Sequence, residues 1–155
     1  MTSRVRPFRL SDLDLLMDIE KAAFPKAAYP RDLFLELHAD CGDLFFVALR
    51  GESLAGYSVA CARPPRAELV SIAVGPRFRR MGIAQALLRR TILRLRRNGI
   101  ERLSLMVRAR NAAAIALYAS FGFRRTGRAA RYYETGEDGV RMALALNSPS
   151  GRPPG

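Results

Sequence analysis

Along this chain the spacing of apolar positions changes period several times, and each change marks an element. Val5 to Leu10 alternates apolar residues with arginines, which predicts a first strand, and Ser11-Asp12 then caps a helix carrying Leu13, Leu16, Met17 and Ile19. Phe24-Pro25 stops that helix. A loop through Tyr29-Pro30 leads to a second short helix, Arg31 to Ala39, with Leu33, Phe34 and Leu37 on one side. Leu44 to Leu49 and Leu54 to Ala62 flank the turn Arg50-Gly51-Glu52-Ser53 and read as an antiparallel hairpin.

Pro64-Pro65 interrupts the pattern, and Glu68 to Val74 follows as a strand apolar on both faces, as a central strand is. From Gly82 to about Arg97 the period returns to that of a helix, with Ala84, Leu87, Leu88, Ile92 and Leu95 inward and most arginines outward. Asn98-Gly99 ends it. Arg102 to Val107 is the next strand and Asn111 to Ser120 the next helix, closed by Gly122 at C′. Two short strands, Arg124 to Thr126 and Val140 to Leu146, complete an order of β-α-α-β-β-β-α-β-α-β-β. That order predicts an α/β protein, an α+β mixed sheet with helices on both faces. Residues 1–147 are expected to form one domain, and 148–155, with no apolar face to bury, a disordered tail.

Composition narrows the classes. The start lacks the apolar core of a signal peptide and no segment approaches the roughly 18 apolar residues of a membrane span, so a cytoplasmic protein without a membrane partner is expected. Cys41 and Cys61 stand far apart beside a single histidine, which indicates neither a disulfide framework nor a metal site, and both are read as buried thiols. The net charge of +12 comes almost wholly from arginine, the lysines being Lys21 and Lys26. Such charge attracts polyanions, CoA and nucleic acid among them. The arginine runs are read as a solvated helix face, and nucleic acid is not expected as the substrate.

Candidate chemistry concentrates where the central strand meets the long helix. Arg79-Arg80-Met81-Gly82-Ile83-Ala84 is an arginine-rich turn into a helix start, where backbone N–H groups lack intrahelical partners and the dipole favours an anion. Gly82 lets that backbone approach a phosphate closely. A P-loop is excluded by the missing Gly-Lys-Ser/Thr, and a dinucleotide fingerprint by the missing first glycine. The spacing of Arg79, Gly82 and Ala84 resembles the acetyl-CoA pyrophosphate loop of the GNAT acetyltransferase superfamily.

A second segment adds to the first. Asn111 is an N-cap candidate, and Asn111, Ile115 and Tyr118 fall on one helix face, with Asn111 and Tyr118 about 10 Å apart along the axis. A cofactor along this face would meet an amide at one end and a phenol at the other; a capped helix with an ordinary core tyrosine fits the same residues. Asn111-Ala112-Ala113-Ala114-Ile115-Ala116-Leu117-Tyr118, continuing through Ser120 to Gly122-Phe123, closely resembles the RimI-type N-terminal acetyltransferases. Tyr132-Tyr133-Glu134-Thr135-Gly136-Glu137-Asp138, ending at Met142, is similar to a segment shared by that type and the catalytic subunit of the eukaryotic NatA complex.

The resemblance implies the GNAT acyl-CoA N-acyltransferase fold in a single domain, with acetyl-CoA as donor and no metal. It implies that Ile72, Ala73 and Val74 meet the pantetheine and the acetyl carbonyl, and that Arg79, Arg80, Met81, Gly82, Ile83, Ala84 and Gln85 hold the pyrophosphate. Asn111 would contact the cofactor's arm and Tyr118 would protonate the leaving thiolate. The acceptor, a protein N-terminus or peptide with ribosomal proteins among the candidates, would lie between the loop Phe24 to Pro30 and the tyrosines, meeting Tyr29, Tyr132 and Tyr133.

One position departs from the family pattern: where RimI-type enzymes carry a glutamate as proton acceptor this chain has Met106, and a thioether takes no proton. Glu68 is the replacement candidate, because Glu68-Leu69-Val70-Ser71-Ile72-Ala73-Val74 resembles the catalytic strand of GNAT histone acetyltransferases. At the mouth of an apolar cleft it would be a stronger base; at a strand start facing water it would not. A water relay or a backbone carbonyl is the other route. Glu137 and Asp138 would attract a cationic acceptor or cap a hairpin turn, the turn fitting better. Acetylation of a lysine or small amine, and a CoA-binding regulatory or nucleic-acid-associated protein weak in catalysis, are the alternative functions.

Overall fold

The computed structural model describes residues 3–146, so the tail expected over 148–155 lies outside the described residues. The elements are β1 (Ser3–Pro7), α1 (Leu13–Ala23), α2 (Arg31–Cys41), β2 (Phe45–Arg50), β3 (Ser53–Arg63), β4 (Arg66–Val74), α3 (Ile83–Arg97), β5 (Arg102–Arg108), α4 (Ala112–Ser120), β6 (Arg124–Ala129) and β7 (Gly139–Ala145). Their order is the one the sequence predicts. The strands are arranged β1-β2-β3-β4-β5-β7-β6. Because β4 and β5 run parallel while β1–β2, β2–β3, β5–β7 and β6–β7 are antiparallel, the sheet is mixed, as expected.

Contacts divide the chain into two units, one holding the residues up to Cys61 with Val70–Arg94, the other Ala62–Leu69 with the residues from Leu95 onward. In the first unit, β2 is buried along nearly its whole length because both of its faces are covered. Phe45, Val47 and Leu49 join Phe8, Leu13, Leu16, Phe34 and Tyr57 in one cluster, while the alternate residues Phe46 and Ala48 join Ala55, Ile83 and Leu87 in another. Gly56 permits the approach of β3 to the end of β4, since a Cβ there would lie 2.7 Å from the Ala73 carbonyl oxygen.

Two sequence readings are corrected here. The first strand ends at Pro7 rather than Leu10, because the Arg6 guanidinium reaches Asp12 with hydrogen bonds of 2.9 and 2.8 Å and the Arg9 N–H donates to the same carboxylate at 2.8 Å, turning the chain. Leu10, which alternation placed in the strand, is 58% exposed. Cys41 and Cys61 are not separate thiols but a disulfide, with Cα atoms 5.1 Å apart. Helix α2 extends to Cys41, two residues beyond its predicted end, and brings it to β3. Closing a loop over a separation of 20 residues restricts the unfolded chain, so reduction with dithiothreitol lowers stability by about 3 kcal/mol, read by denaturant midpoint.

In the second unit, the head of β4 pairs with β5 in the register Arg66↔Arg102, Ala67↔Leu103 and Glu68↔Ser104. β5 pairs with β7 from Arg102↔Ala145 to Arg108↔Gly139. Leu103, Leu105 and Val107 are buried, leaving Ser104, Met106 and Arg108 on the less covered face.

Candidate active site

In the first unit the end of β4 runs through Ile72, Ala73 and Val74 into a 3-10 turn, Pro76–Phe78, and then into the arginine turn before α3. Ala73 is buried while Ile72 and Val74 pack partly against the cluster that contains Ile83 and Leu87. Arg80 and Gly82 have φ of 63° and 77°, so the turn enters the left-handed backbone region twice within three residues. The Gly82 carbonyl accepts the first helical hydrogen bond, from Ala86 N–H at 3.0 Å. Gly82 is therefore the N-cap, and Ile83, Ala84 and Gln85 carry the N–H groups that an α-helix leaves without intrahelical acceptors. A Cβ at Gly82 would meet nothing within 4 Å, which is open space where an anion can come close to the backbone. Arg79 and Arg80 are exposed beside it, as is Met81.

In the second unit Asn111 caps α4 as predicted, its Oδ1 accepting from Ala114 N–H at 3.1 Å. Two turns on, Tyr118 is 6% exposed and packs beside Phe123, with ring centroids 5.6 Å apart. Burial raises its pKa far above that of an ordinary phenol, and Tyr133 adds to the shift. Tyr118 is thus a phenol that keeps its proton at any physiological pH.

Glu68 is exposed, not buried at an apolar mouth. Its register with Ser104 puts it on the same face as Met106, which stands two residues further along β5. Met106 and Tyr132 both lie beside Gly139: a Cβ on Gly139 would be 2.8 Å from Met106 Sδ and 3.2 Å from Tyr132 Cβ. Tyr132 and Tyr133 form an edge-to-face pair at 5.0 Å, Tyr132 half exposed, and the Arg108 guanidinium sits 4.1 Å from the centre of the Tyr133 ring. Arg108 also reaches Glu137 at 3.3 Å. Asp138 accepts from the Arg131 N–H and pairs with Arg128, and these contacts hold its pKa below the usual range. Both acidic residues therefore serve the turn.

A family model described as "Acetyltransferase (GNAT) family" matches residues 13–123, most of the described chain. The chain belongs to the GNAT family. An N-alpha-acetyltransferase from Sulfolobus acidocaldarius is 33% identical, over 92% of each chain. A [ribosomal protein bS18]-alanine N-acetyltransferase from Escherichia coli is 38% identical, over 67% of this chain and 72% of its own. The crystal structure of Ard1 from Thermoplasma volcanium superposes with a TM-score of 0.90 at 26% identity, covering 96% of this chain and all of that one. The expected acyltransferase class and GNAT fold are thereby established.

This acetyltransferase also holds a polar network in its first unit that the sequence reading missed. Glu20, on the inner face of α1, is 1% exposed. Its Oε2 accepts the Tyr29 N–H at 2.9 Å and its Oε1 accepts the Tyr57 hydroxyl from β3, whose oxygen lies 2.7 Å from Ser71 Oγ on β4. Tyr29 itself is partly exposed and its ring packs against Phe34 at 6.3 Å. The available signal was position: Glu20 stands seven residues after Leu13, on the buried stripe of α1. Among the described residues no group of three or more His, Cys, Asp or Glu is placed to hold a metal, and no helix is long and apolar enough to cross a membrane.

Proposed function

We propose that this protein is a cytoplasmic, acetyl-CoA-dependent N-acetyltransferase whose acceptor is the α-amine of a protein N-terminus, with ribosomal proteins among the candidates. The observation that carries the reading is the likeness to the S. acidocaldarius N-alpha-acetyltransferase, which extends over 92% of the chain and so well past the family segment at residues 13–123. The geometry of the cradle supports acetyl-CoA as donor. The helix-start N–H groups of Ile83, Ala84 and Gln85, with Arg79, Arg80 and Met81 beside Gly82, hold the pyrophosphate. Ile72, Ala73 and Val74 meet the pantetheine and acetyl group, and Asn111 turns its amide NH2 to the cofactor's arm.

The amine attacks the thioester directly in a ternary complex. A backbone N–H near Val74 stabilises the oxyanion, and Tyr118 gives its proton to the departing thiolate. Tyr29, Tyr132 and Tyr133 receive the acceptor peptide. Glu68, exposed on the same face as Met106, and a water relay are the routes the sequence offers for the amine's proton.

The test is acetyl-CoA consumption with short peptides beginning Ala, Ser, Met or an acidic residue, beside N-blocked lysine peptides, polyamines and a no-acceptor control. Turnover only with free peptide N-termini supports the proposal. Turnover confined to lysine or small amines moves the acceptor and keeps the donor. Cofactor binding without turnover on any amine would make the chain a CoA-binding regulator.

A further inference from the structure

Resting on the reading that an amine is acetylated here, we propose that Glu20 is the final acceptor of the amine's proton, reached through the hydroxyls of Ser71 and Tyr57. The chain of contacts has a fixed polarity. An ionised carboxylate only accepts, so at Glu20 both the Tyr29 N–H and the Tyr57 hydroxyl are donors. Tyr57 has then committed its only proton, and at 2.7 Å its oxygen accepts from Ser71. Ser71 has in turn committed its own, so its Oγ meets any further partner as an acceptor. A protonated amine is such a partner.

Placement ties this chain to both reactants. Ser71 is half-buried on β4, directly before Ile72, Ala73 and Val74, the residues assigned to the thioester. At its other end Glu20 holds the backbone of Tyr29, in the loop assigned to the acceptor. The first unit therefore supplies a proton path in a chain that carries Met106 at the position where the RimI-type pattern has a glutamate.

The step balances. The ammonium's proton passes to Ser71 Oγ as the Ser71 proton moves to the Tyr57 oxygen and the Tyr57 proton to Glu20 Oε1. The freed lone pair forms the C–N bond and the C–S bond breaks. The thiolate takes the Tyr118 proton, and the surplus proton on the new amide nitrogen restores Tyr118 through solvent. Glu20 returns its proton along the same path after the products leave.

The surroundings of Glu20 suit the task. The groups that meet its carboxylate are the Tyr57 hydroxyl from β3 and the Tyr29 N–H from the loop. Burial raises its pKa against the lowering effect of those two hydrogen bonds, making it a stronger base than a hydrated glutamate. Tyr57 has its pKa raised by burial and by the Glu20 carboxylate, so it passes protons on without resting as a phenolate.

The deciding experiment is the pH profile of kcat/KM from pH 6.5 to 9.5 for wild type, Ser71→Ala, Ser71→Thr, Tyr57→Phe, Glu20→Gln and Glu68→Gln, on whichever amine the wild type acetylates. Loss of general-base assistance is expected to lower the rate about 10²-fold at pH 6.5, shrinking toward parity near pH 9.5 for an α-amine, which is then already neutral, and shrinking less for a lysine amine, which is still mostly protonated. Ser71→Thr keeps the hydroxyl and is expected to retain most activity. A purely structural role for the network would instead give a pH-independent loss with a raised KM for the acceptor, and that overturns the proposal. So does full activity in Ser71→Ala, which changes one atom and keeps the fold even if the Glu20 variant does not. A loss confined to Glu68→Gln assigns the proton to Glu68 and overturns it equally. Turnover of lysine alone by the wild type defeats the N-terminal reading while leaving the relay to be judged on lysine; no turnover of any amine defeats both.

Discussion

Replacing Tyr118 by phenylalanine lowers kcat by about 10²- to 10³-fold with little change in the affinity for acetyl-CoA or in thermal stability. The side chain is buried against Phe123, and phenylalanine fills the same space, so only the hydroxyl is lost. What that hydroxyl contributes is a proton at the moment the C–S bond breaks. A thiolate whose thiol has a pKa near the cysteine value of about 8.5 is a weaker base than a phenolate. The transfer is therefore driven by the acidic proton of the new amide nitrogen, which restores Tyr118 as the sulfur takes the phenol's proton from a donor already within reach. Because burial holds the Tyr118 pKa far above its ordinary value, the phenol is protonated throughout the working range. The loss in Tyr118→Phe should accordingly be the same factor at every pH from 6.5 to 9.5. That flat ratio distinguishes the acid from the Glu20 network, whose variants lose most at low pH. Steady-state kinetics of the two sets of variants over one buffer series measures both. A Tyr118→Phe enzyme with kcat within a few-fold of wild type would remove Tyr118 from the chemistry.

How far the site could be read from the sequence depends on whether its determinants are local. Asn111 and Tyr118 could be placed because a cap and a helical spacing are set by residues within two turns of each other. The helix start was legible for the same reason, with Gly82 at the junction of a turn and a helix. Elements and their order followed from apolar periodicity, since each helix buries one stripe and β2 two faces. The misreadings are all non-local. Alternation alone carried the first strand to Leu10, whereas the Arg6–Asp12 contact turns the chain after Pro7. The Cys41–Cys61 bond joins α2 to β3 across 20 residues that contain a complete strand, and nothing in the spacing announces the meeting. Glu20 was passed over because a charged residue on an apolar stripe has meaning only when its partners are known, and Tyr57 and Ser71 come from strands 37 and 51 residues later. Met106 shows the converse: its departure from the RimI-type pattern is visible in the sequence, while its neighbour Gly139 is set by the pairing of β5 with β7.

Gly82→Asp is expected to weaken acetyl-CoA binding about 100-fold while leaving the fold intact. Stability changes little because two effects oppose each other. An L-residue at φ of 77° costs about 1 kcal/mol, aspartate being among those that tolerate this region best. Aspartate is also a favoured N-cap, better than glycine by a few tenths of a kcal/mol, and Gly82 already occupies the cap position through its carbonyl. The same capping removes function. An aspartate carboxylate folded over the helix start would accept from the Ala84 or Gln85 N–H, occupying the donors that the pyrophosphate needs. Its negative charge would also repel the phosphates. Losing one or two hydrogen bonds to a charged group, each about 1.5–3 kcal/mol, accounts for a hundredfold change at 1.4 kcal/mol per factor of ten. Titration calorimetry with CoA, alongside thermal melts, reads the two quantities separately. Gly82→Ala provides the control for backbone strain: it carries the Cβ without the carboxylate, and should fall between wild type and Gly82→Asp in affinity while being the less stable of the two variants. Retained CoA affinity in Gly82→Asp would place the pyrophosphate away from the start of α3.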